Sequence, residues 1–267
     1  MKKVKTVVLR TAGTNCDMET AHAFREAGSE VELLHINALV KQRAILADAG
    51  ILAIPGGFTY GDDIASGKIL ANELRHALKE ELAHFIRSGK LMIGICNGFQ
   101  VLVKMGLLPN TVTADSPDME ATLTLNNSGK FEDRWVYLKK EDPDGKCVWT
   151  RELPRIIYLP VAHGEGKFIP KEEGVLKKLK QNGQIVFRYA DRMGNLAGYP
   201  YNPNGSIENI AGICDPTGRI FGLMPHPERH IDYVQHPNWR RGPGKDEMGI
   251  GLQIFKNGVN FVRENLL

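Results

Sequence analysis

One cysteine is well placed for nucleophilic chemistry, because it directly follows an apolar run. Leu91–Ile95 is almost wholly apolar, and Cys96 comes next within Gly-Ile-Cys-Asn-Gly. Apolar residues then recur at helical spacing over residues 99–107. A strand that turns sharply into a helix at the nucleophile is typical of a nucleophile elbow, here in a thiol version. The pattern alone leaves open a buried structural cysteine at a tight turn.

The residues around Cys96 suit an activated thiol. Gly94 and Gly98 carry no side chains at the point where strand and helix must cross closely. The N-terminus of the predicted helix favours a thiolate. The backbone N–H of Asn97 would then point at the attacked carbonyl and supply one oxyanion donor.

A nucleophilic thiol needs a base, and His226 is the strongest candidate. His226 follows a predicted core strand at 220–224 and stands in Met-Pro-His-Pro-Glu, where Glu228 can turn back to orient the imidazole. Sites in open α/β sheets lie at the carboxyl ends of the strands, so His226 and Cys96 are expected at one edge. The alternative for His226 is an ordinary surface histidine. His163 is a weaker candidate base, and a supporting role near the substrate or an interface is favoured for it.

A second oxyanion donor is expected from the Pro-Gly-Gly-Phe turn that follows a predicted strand at 50–54. Gly56 and Gly57 let a backbone N–H approach a substrate without obstruction by side chains. A Gly-Gly turn by itself is weak evidence, since most such turns have no catalytic role.

Strands and helices alternate over the first hundred residues. The predicted elements are strands at 6–9, 30–34, 50–54 and 91–95, a helix at 17–27, and one long helix through Leu70, Leu74, Leu78, Leu82 and Ile86. Apolar strands that alternate with helices indicate an α/β fold with an open, mostly parallel, doubly wound sheet.

The middle of the chain changes character. Residues 111–155 are more polar and rich in turn signals, with strands predicted at 135–138, 147–150 and 156–159. We expect an antiparallel extension of the same sheet, so that residues 1–267 form a single domain. A surface loop at 236–248 and a closing helix at 250–262 are predicted near the end.

Composition and charge exclude several classes of protein. A net charge of +3 over 267 residues, with both signs mixed along the chain, provides no basic stripe for nucleic acid. No apolar run is long enough for a signal peptide or a membrane span, so a cytoplasmic protein that binds no membrane is expected. The four cysteines form no CxxC pair, so neither a disulfide framework nor a metal site is predicted.

The other three cysteines are interpreted differently from Cys96. Cys16 is the rival nucleophile, since it also follows a strand and precedes a helix. It lacks the flanking glycine pair, and the carboxylate of Asp17 would oppose a thiolate. Cys147 and Cys214 lie in apolar runs and are predicted to be core thiols.

Six motifs over residues 4–229 together resemble one known family. In chain order they are Gly-Thr-Asn-Cys-Asp from Gly13, Pro-Gly-Gly-Phe-Thr-Tyr-Gly-Asp from Pro55, Cys-Asn-Gly-Phe-Gln from Cys96, Pro-Val-Ala-His-Gly-Glu-Gly from Pro160, Asn-Pro-Asn-Gly-Ser from Asn202, and Met-Pro-His-Pro-Glu-Arg from Met224. They are similar to the class I, triad-type glutamine amidotransferases, and among these to the glutaminase subunits of phosphoribosylformylglycinamidine synthase.

The resemblance implies a role for each site residue. Cys96 is expected to be the nucleophile, His226 the base and Glu228 the group that orients it. Backbone N–H groups of Gly57 and Asn97 are expected to form the oxyanion hole. Gly56 and Gln100 are expected to line the glutamine site.

The resemblance also implies partners and a reaction. Glutamine is hydrolysed to glutamate, and the ammonia passes to a large synthetase subunit, with a small third subunit in the assembly. This chain binds no cofactor of its own, whereas ATP and Mg are expected at the synthetase, where formylglycinamide ribonucleotide is converted to the amidine. Two departures leave the shape of the partner surface open: Thr-Ala-Gly-Thr at 11–14, where the family often has Phe-Pro-Gly-Ser, and a longer stretch at 231–248. Another amidotransferase subunit, a cysteine hydrolase of related fold and a non-catalytic subunit are the alternatives.

Overall fold

A mixed sheet forms the centre of the fold. The computed structural model describes residues 3–62, 64–111, 119–142, 145–241 and 248–267. Its strands are β1 (Lys5–Arg10), β2 (Glu30–His35), β3 (Ile51–Ile54), β4 (Leu91–Ile95), β5 (Ala121–Leu125), β6 (Glu132–Lys140), β7 (Ile156–His163), β8 (Glu165–Pro170), β9 (Ile185–Ala190), β10 (Ile210–Cys214) and β11 (Ile220–Leu223). Within these residues, nine strands form one sheet in the order β2-β1-β3-β4-β11-β10-β9-β6-β7, and β5 pairs with β8 in a small second sheet.

The main sheet has a parallel half and an antiparallel half. β2, β1, β3, β4 and β11 are parallel neighbours. From β11 through β10, β9 and β6 to β7, each strand is antiparallel to the next. The predicted open α/β sheet with an antiparallel extension is therefore confirmed.

Helices pack against the sheet and against one another. They are α1 (Asp17–Glu26), α2 (Ile36–Lys41), α3 (Ile45–Asp48), α4 (Lys68–Ala77), α5 (Lys79–Arg87), α6 (Asn97–Lys104), α7 (Glu173–Gln181) and α8 (Gly251–Asn265). In the sheet order, β2 lies on one side of β1, whereas β4 lies on the opposite side of β3. Right-handed crossovers therefore place α1 and α4 on opposite faces, as a doubly wound fold requires. The closing helix α8 packs on α1, with the rings of Phe24 and Phe255 4.9 Å apart.

The single long helix expected after β3 is wrong, because two helices occupy its place. The chain breaks at Leu78, which has φ −128° and ψ 23°, between α4 and α5. Leu70, Leu74, Leu78 and Leu82 are nevertheless all buried. The four-residue spacing of leucines continues across the break, so the apolar pattern carries no sign of it.

The predicted strand at 147–150 is also wrong, because Val148–Thr150 is a turn of 3-10 helix. The carboxylate of Asp142 shapes this turn by accepting hydrogen bonds from the N–H of Cys147 and the hydroxyl of Thr150. Trp149 is buried against α8, where a side chain at Gly258 would collide with its ring. Burial against a helix explains the apolar character of this segment. The strands expected at 135–138 and 156–159 lie within β6 and β7.

Some predicted segments lie partly outside the described residues. In the polar stretch 111–155, residues 112–118 and 143–144 are outside the description. In the loop 236–248, residues 242–247 are outside it. The described part of that loop has a 3-10 turn at Trp239–Arg241 and exposed residues. The closing helix is confirmed as α8. Over the described residues, no helix is both long and apolar enough to cross a membrane.

Candidate active site

Cys96 stands at a strained turn between β4 and α6. Its φ of 52° and ψ of −107° are rare for a residue with a side chain. The Cys96 N–H donates to the carbonyl of Leu223 at 2.8 Å, which ties the turn to the end of β11. The residue is 5% exposed. A nucleophile elbow is expected to have such a strained backbone, which the surrounding sheet holds in place.

The two glycines beside Cys96 are required by close backbone contacts. A Cβ atom at Gly94 would lie 2.5 Å from the carbonyl oxygen of Gly98. A Cβ atom at Gly98 would lie 1.8 Å from the carbonyl oxygen of Ile54. Neither distance can be tolerated, so strand β3, strand β4 and helix α6 approach this closely only because both residues are glycine.

His226 and Glu228 form a buried pair after β11. The Nδ1–H of His226 donates to a carboxylate oxygen of Glu228 at 2.6 Å, and each residue is 1% exposed. Burial by itself lowers the pKa of the His226 imidazole. The charges of the Glu228 carboxylate and of a Cys96 thiolate, with hydrogen bonds to the sulfurs of Cys16 and Cys96, outweigh burial, so the pKa is raised well above its ordinary value. With Nδ1 bound to the carboxylate, Nε2 is the ring atom left to exchange a proton with Cys96.

The antiparallel extension curls back to close one side of this site. The His226 N–H donates to the carbonyl of Pro160 in β7 at 2.8 Å, although β7 lies at the far end of the sheet order. The Cys96 thiol lies 3.8 Å from the carbonyl oxygen of Ala162, also in β7. The extension therefore lines one side of the candidate site.

The structure also brings Cys16 into this site. Its sulfur accepts a hydrogen bond from Arg229 at 3.2 Å, and it lies within 4.8 Å of donor atoms of both His226 and Glu228. Burial raises the pKa of the Cys16 thiol to about 11, and Glu228 adds to the shift while His226 and Arg229 oppose it. A thiol with this pKa is a poor nucleophile at neutral pH.

The expected effect of Asp17 on the Cys16 thiol is wrong. The carboxylate that acts on Cys16 is that of Glu228, whereas Asp17 pairs with Arg10 at 3.2 Å. Cys16, His226 and Glu228 also have the donor types and spacing that could hold a metal ion. The short bond between His226 and Glu228 is also the geometry of a base and its orienting group, and those roles stay a prediction.

Gly56 and Gly57 lie where the predicted oxyanion donor is needed. A Cβ atom at Gly56 would lie 2.8 Å from Cε1 of His226, 3.1 Å from the sulfur of Cys16 and 3.4 Å from Cβ of Cys96. Gly57 has φ 145°, a conformation that favours glycine. Among the described residues, no acceptor takes the backbone N–H of Gly57 or of Asn97. Both N–H groups are thus free for an oxyanion, and their role as donors stays a prediction.

Gln100 links helix α6 to the first residue of β8. Its Nε2 donates to the carbonyl of Glu165 at 2.5 Å, and its Oε1 accepts from Asn97 at 2.9 Å. Gln100 is buried, and protein partners hold both ends of its amide group. Direct contact of Gln100 and Gly56 with glutamine stays a prediction.

The residues around the turn from β7 to β8 form a wall beside the site. This wall includes His163, which is neutral. Its Nδ1–H donates to Oδ1 of Asn126 at 3.1 Å, and the same oxygen accepts from the N–H of Gly166 at 3.0 Å. Burial, with the charge of His226 adding to it, lowers the pKa of His163 to about 3. A group with this pKa is a weak base at neutral pH, which agrees with the supporting role favoured above.

The Asn-Pro-Asn-Gly-Ser turn supports the same wall from behind. Asn204 donates to the hydroxyl of Tyr189 at 3.1 Å. The hydroxyl of Ser206 donates to Oδ1 of Asn204 at 2.8 Å and accepts from the N–H of Phe168 at 2.9 Å. The sequence did not indicate these contacts or the hydrogen bond between Asn126 and His163. The Asn-Pro-Asn-Gly-Ser pattern predicts a turn, but it gives no sign that the turn packs on β8.

Comparison with known proteins agrees with this geometry. The sequence matches the CobB/CobQ-like glutamine amidotransferase domain over residues 3–262. It is 51% identical over 265 residues to phosphoribosylformylglycinamidine synthase subunit PurQ of Dehalococcoides mccartyi, covering 99% of this chain and 100% of the relative. It is 45% identical over 270 residues to PurQ of Methanococcus maripaludis strain S2, covering 96% of this chain and 97% of the relative.

Solved structures have the same fold. The structure of PurLQS from Thermotoga maritima contains a chain with a TM-score of 0.73 and 30% identity, and the match covers 98% of this chain and 100% of that one. The glutaminase domain of CTPS from Trypanosoma brucei has a TM-score of 0.58 at 11% identity, with 97% and 94% covered, and supports the fold alone. The chain therefore belongs to the CobB/CobQ-like glutamine amidotransferase family and, within it, to the phosphoribosylformylglycinamidine synthase subunits PurQ.

Proposed function

We propose that this chain is the glutaminase subunit of a phosphoribosylformylglycinamidine synthase. It hydrolyses glutamine to glutamate and supplies ammonia for the ATP-dependent conversion of formylglycinamide ribonucleotide to its amidine in purine biosynthesis. The observation that carries the proposal is the buried pair of His226 and Glu228 beside the strained turn at Cys96. Similarity to PurQ subunits over nearly the whole chain supports the choice among amidotransferases.

The first half of the reaction forms a thioester. The Cys96 sulfur attacks the side-chain amide carbon of glutamine, and the carbonyl oxygen becomes an oxyanion that the N–H groups of Gly57 and Asn97 stabilise. His226 holds the proton taken from the thiol and delivers it to the amide nitrogen. The C–N bond then breaks, and ammonia leaves a glutamyl thioester on Cys96.

The second half releases glutamate. His226 removes a proton from a water molecule, which attacks the thioester carbon, and the oxyanion again lies against the two N–H groups. The C–S bond breaks, the sulfur recovers its proton from His226, and glutamate departs. Glu228 favours the charged imidazole in both halves, which fits the raised pKa of His226.

Ammonia has no role in this site after it is released, so a second site must consume it. We propose that a large synthetase subunit does so, in an assembly that includes a small third subunit, as the similarity to a chain of PurLQS supports. ATP and Mg belong to the synthetase, and this chain binds no cofactor of its own. The whole chain, 1–267, acts as one amidotransferase domain in the cytoplasm.

Cys96→Ser tests this division of labour. In the assembled enzyme the variant should lose glutamine-dependent synthesis, whereas synthesis from an added ammonium salt should continue at the wild-type rate. Glutamate release and amidine formation are measured side by side, with the synthetase subunit present and absent. Loss of both activities in a folded, assembled variant would contradict the two-site proposal. Absence of glutamate release by the complete wild-type complex would favour another cysteine hydrolase or a non-catalytic subunit.

A further inference from the structure

The side chain of Asn97 joins two parts of the active site by four hydrogen bonds. Its Oδ1 accepts from the hydroxyl of Thr59 at 2.7 Å and from the N–H of Thr59 at 3.4 Å. Its Nδ2 donates to Asp62 at 3.1 Å and to Gln100 at 2.9 Å. Asn97 is 1% exposed, and the amide group makes every hydrogen bond that it can make.

Asn97 holds the loop 56–62, which begins with the glycine pair. Three consecutive residues in it, Tyr60, Gly61 and Asp62, have positive φ values of 54°, 71° and 53°. Two of them carry side chains, so this backbone is strained and needs contacts that fix it. A loop without such contacts would be free to relax, and the N–H of Gly57 would then have no fixed direction.

The opposite side of this segment is held by the turn after β1. The N–H of Phe58 donates to the carbonyl of Gly13 at 2.9 Å, and the N–H of Tyr60 donates to the carbonyl of Ala12 at 2.8 Å. These bonds set the loop against β1 but leave open its distance from α6. Asn97, at the first position of α6, supplies the contacts in that direction.

We propose that Thr59 and the Asn97 side chain are positioning residues, which hold the loop 56–62 so that the N–H groups of Gly57 and Asn97 face one oxyanion. The inference rests on the proposed glutaminase function. Asn97 then has two separate roles, because its backbone N–H stabilises the oxyanion while its side chain places the other donor. Gln100 extends the same chain of bonds to the carbonyl of Glu165, so the wall that contains His163 is held to the nucleophile helix as well.

Thr59→Val is the first test, because it replaces the hydroxyl by a methyl group of similar size. We expect kcat for glutamine hydrolysis in the assembled enzyme to fall about tenfold to a hundredfold with little change in KM, since an oxyanion donor acts on the transition state. Thr59→Ser restores the hydroxyl and should recover kcat to within about threefold. Thr217→Val removes a hydroxyl that bonds to Asp215 in the turn before β11, and kcat should not change.

A second measurement distinguishes loop position from damage to the thiol. Alkylation of Cys96 by iodoacetamide forms no oxyanion, so its rate in Thr59→Val should equal that of the wild type while kcat falls. If Thr59→Val does not assemble, Asn97→Asp replaces it, since that side chain still accepts from Thr59 but repels Asp62. Wild-type kcat in the folded variant, or an equal loss of kcat and alkylation rate, would overturn the inference. A wild-type enzyme that releases no glutamate would instead overturn the proposed function.

Discussion

The Nδ1 atom of His226 lies 2.6 Å from a carboxylate oxygen of Glu228, and solvent reaches almost nothing of either residue. A buried carboxylate without a partner is strongly destabilised, so the pair is held together by the cost of separating it. The bond fixes the ring orientation and leaves Nε2 facing the thiols. The following predictions depend on this arrangement and on the turn at Cys96.

Removal of the base should cost more activity than removal of the group that orients it. We expect His226→Ala to reduce glutaminase kcat by at least about a thousandfold, because the pKa of His163 is too low and that of Cys16 too high for either to replace the base at neutral pH. Glu228→Ala should cost less, since an imidazole that has lost its orienting bond can still carry the proton. Steady-state rates of glutamate release in the assembled enzyme measure both effects. A larger loss in Glu228→Ala than in His226→Ala would reverse the assignment of base and orienting group.

The same pair makes stability depend on pH in a defined direction. The pKa of His226 is raised in the folded protein, so its contribution to stability is complete below the unfolded value of about 6.5 and is lost as pH rises through the folded pKa. Glu228→Gln removes the main cause of the raise and leaves the effect of burial, so the folded pKa should fall. The difference in free energy of unfolding between wild type and Glu228→Gln should therefore be larger at about pH 6 than at about pH 9. Urea denaturation at both values measures it, and a difference that grows with pH would contradict the account.

The close crossing at Gly98 predicts a large effect of one methyl group. Gly98→Ala should destabilise the fold by about 3 kcal/mol, because the new Cβ atom would collide with the carbonyl oxygen of Ile54. Gly198→Ala is the matched control, since nothing lies within 4 Å of the added atom, and it should change stability by less than about 1 kcal/mol. Equal unfolding free energies for the two variants in urea would show that the crossing is looser than described.

The glycine pair offers a means of coupling to the synthetase. A free subunit that hydrolysed glutamine at full rate would waste it, and a peptide between two glycines rotates at little steric cost. We expect the isolated subunit to turn over about a hundredfold or more slowly than the complex with synthetase, nucleotide and ribonucleotide substrate, because Thr59 and Asn97 hold the loop beside α6 while partner contact sets the final rotation of the Gly56–Gly57 peptide. The difference should lie mainly in kcat. Equal turnover in the two states would reject this coupling.

The sequence predicts the parallel half of the fold well, because β1, β3, β4 and β11 are apolar runs and a Gly or Pro turn closely follows β1, β3 and β11. Strand β9 escapes prediction, since Arg188 interrupts its apolar pattern. In the structure, the guanidinium of this residue donates to the carbonyl and carboxylate of Glu208 and is thereby buried. Local periodicity cannot indicate such a partner, which lies twenty residues away.

The candidate site also contains residues that the sequence could indicate and one that it could not. Cys96, His226 and Glu228 could be found from strand ends and neighbouring residue types. The position of Cys16 could not, because it depends on how the turn after β1 meets the segment after β11, where Arg229 pairs with Glu19 at 3.0 Å. Contacts of that kind follow from tertiary packing alone.

The central claim is that Cys96, and not Cys16, forms the covalent intermediate. A chloroketone analogue of glutamine alkylates the thiol that attacks the substrate, and trypsin separates the two candidates into peptides 11–25 and 91–104. We predict that mass spectrometry of the inactivated, assembled enzyme finds one adduct for each active site, on Cys96, and that excess glutamine prevents it. An adduct on Cys16 that glutamine suppresses, with Cys96 unmodified, would contradict the account.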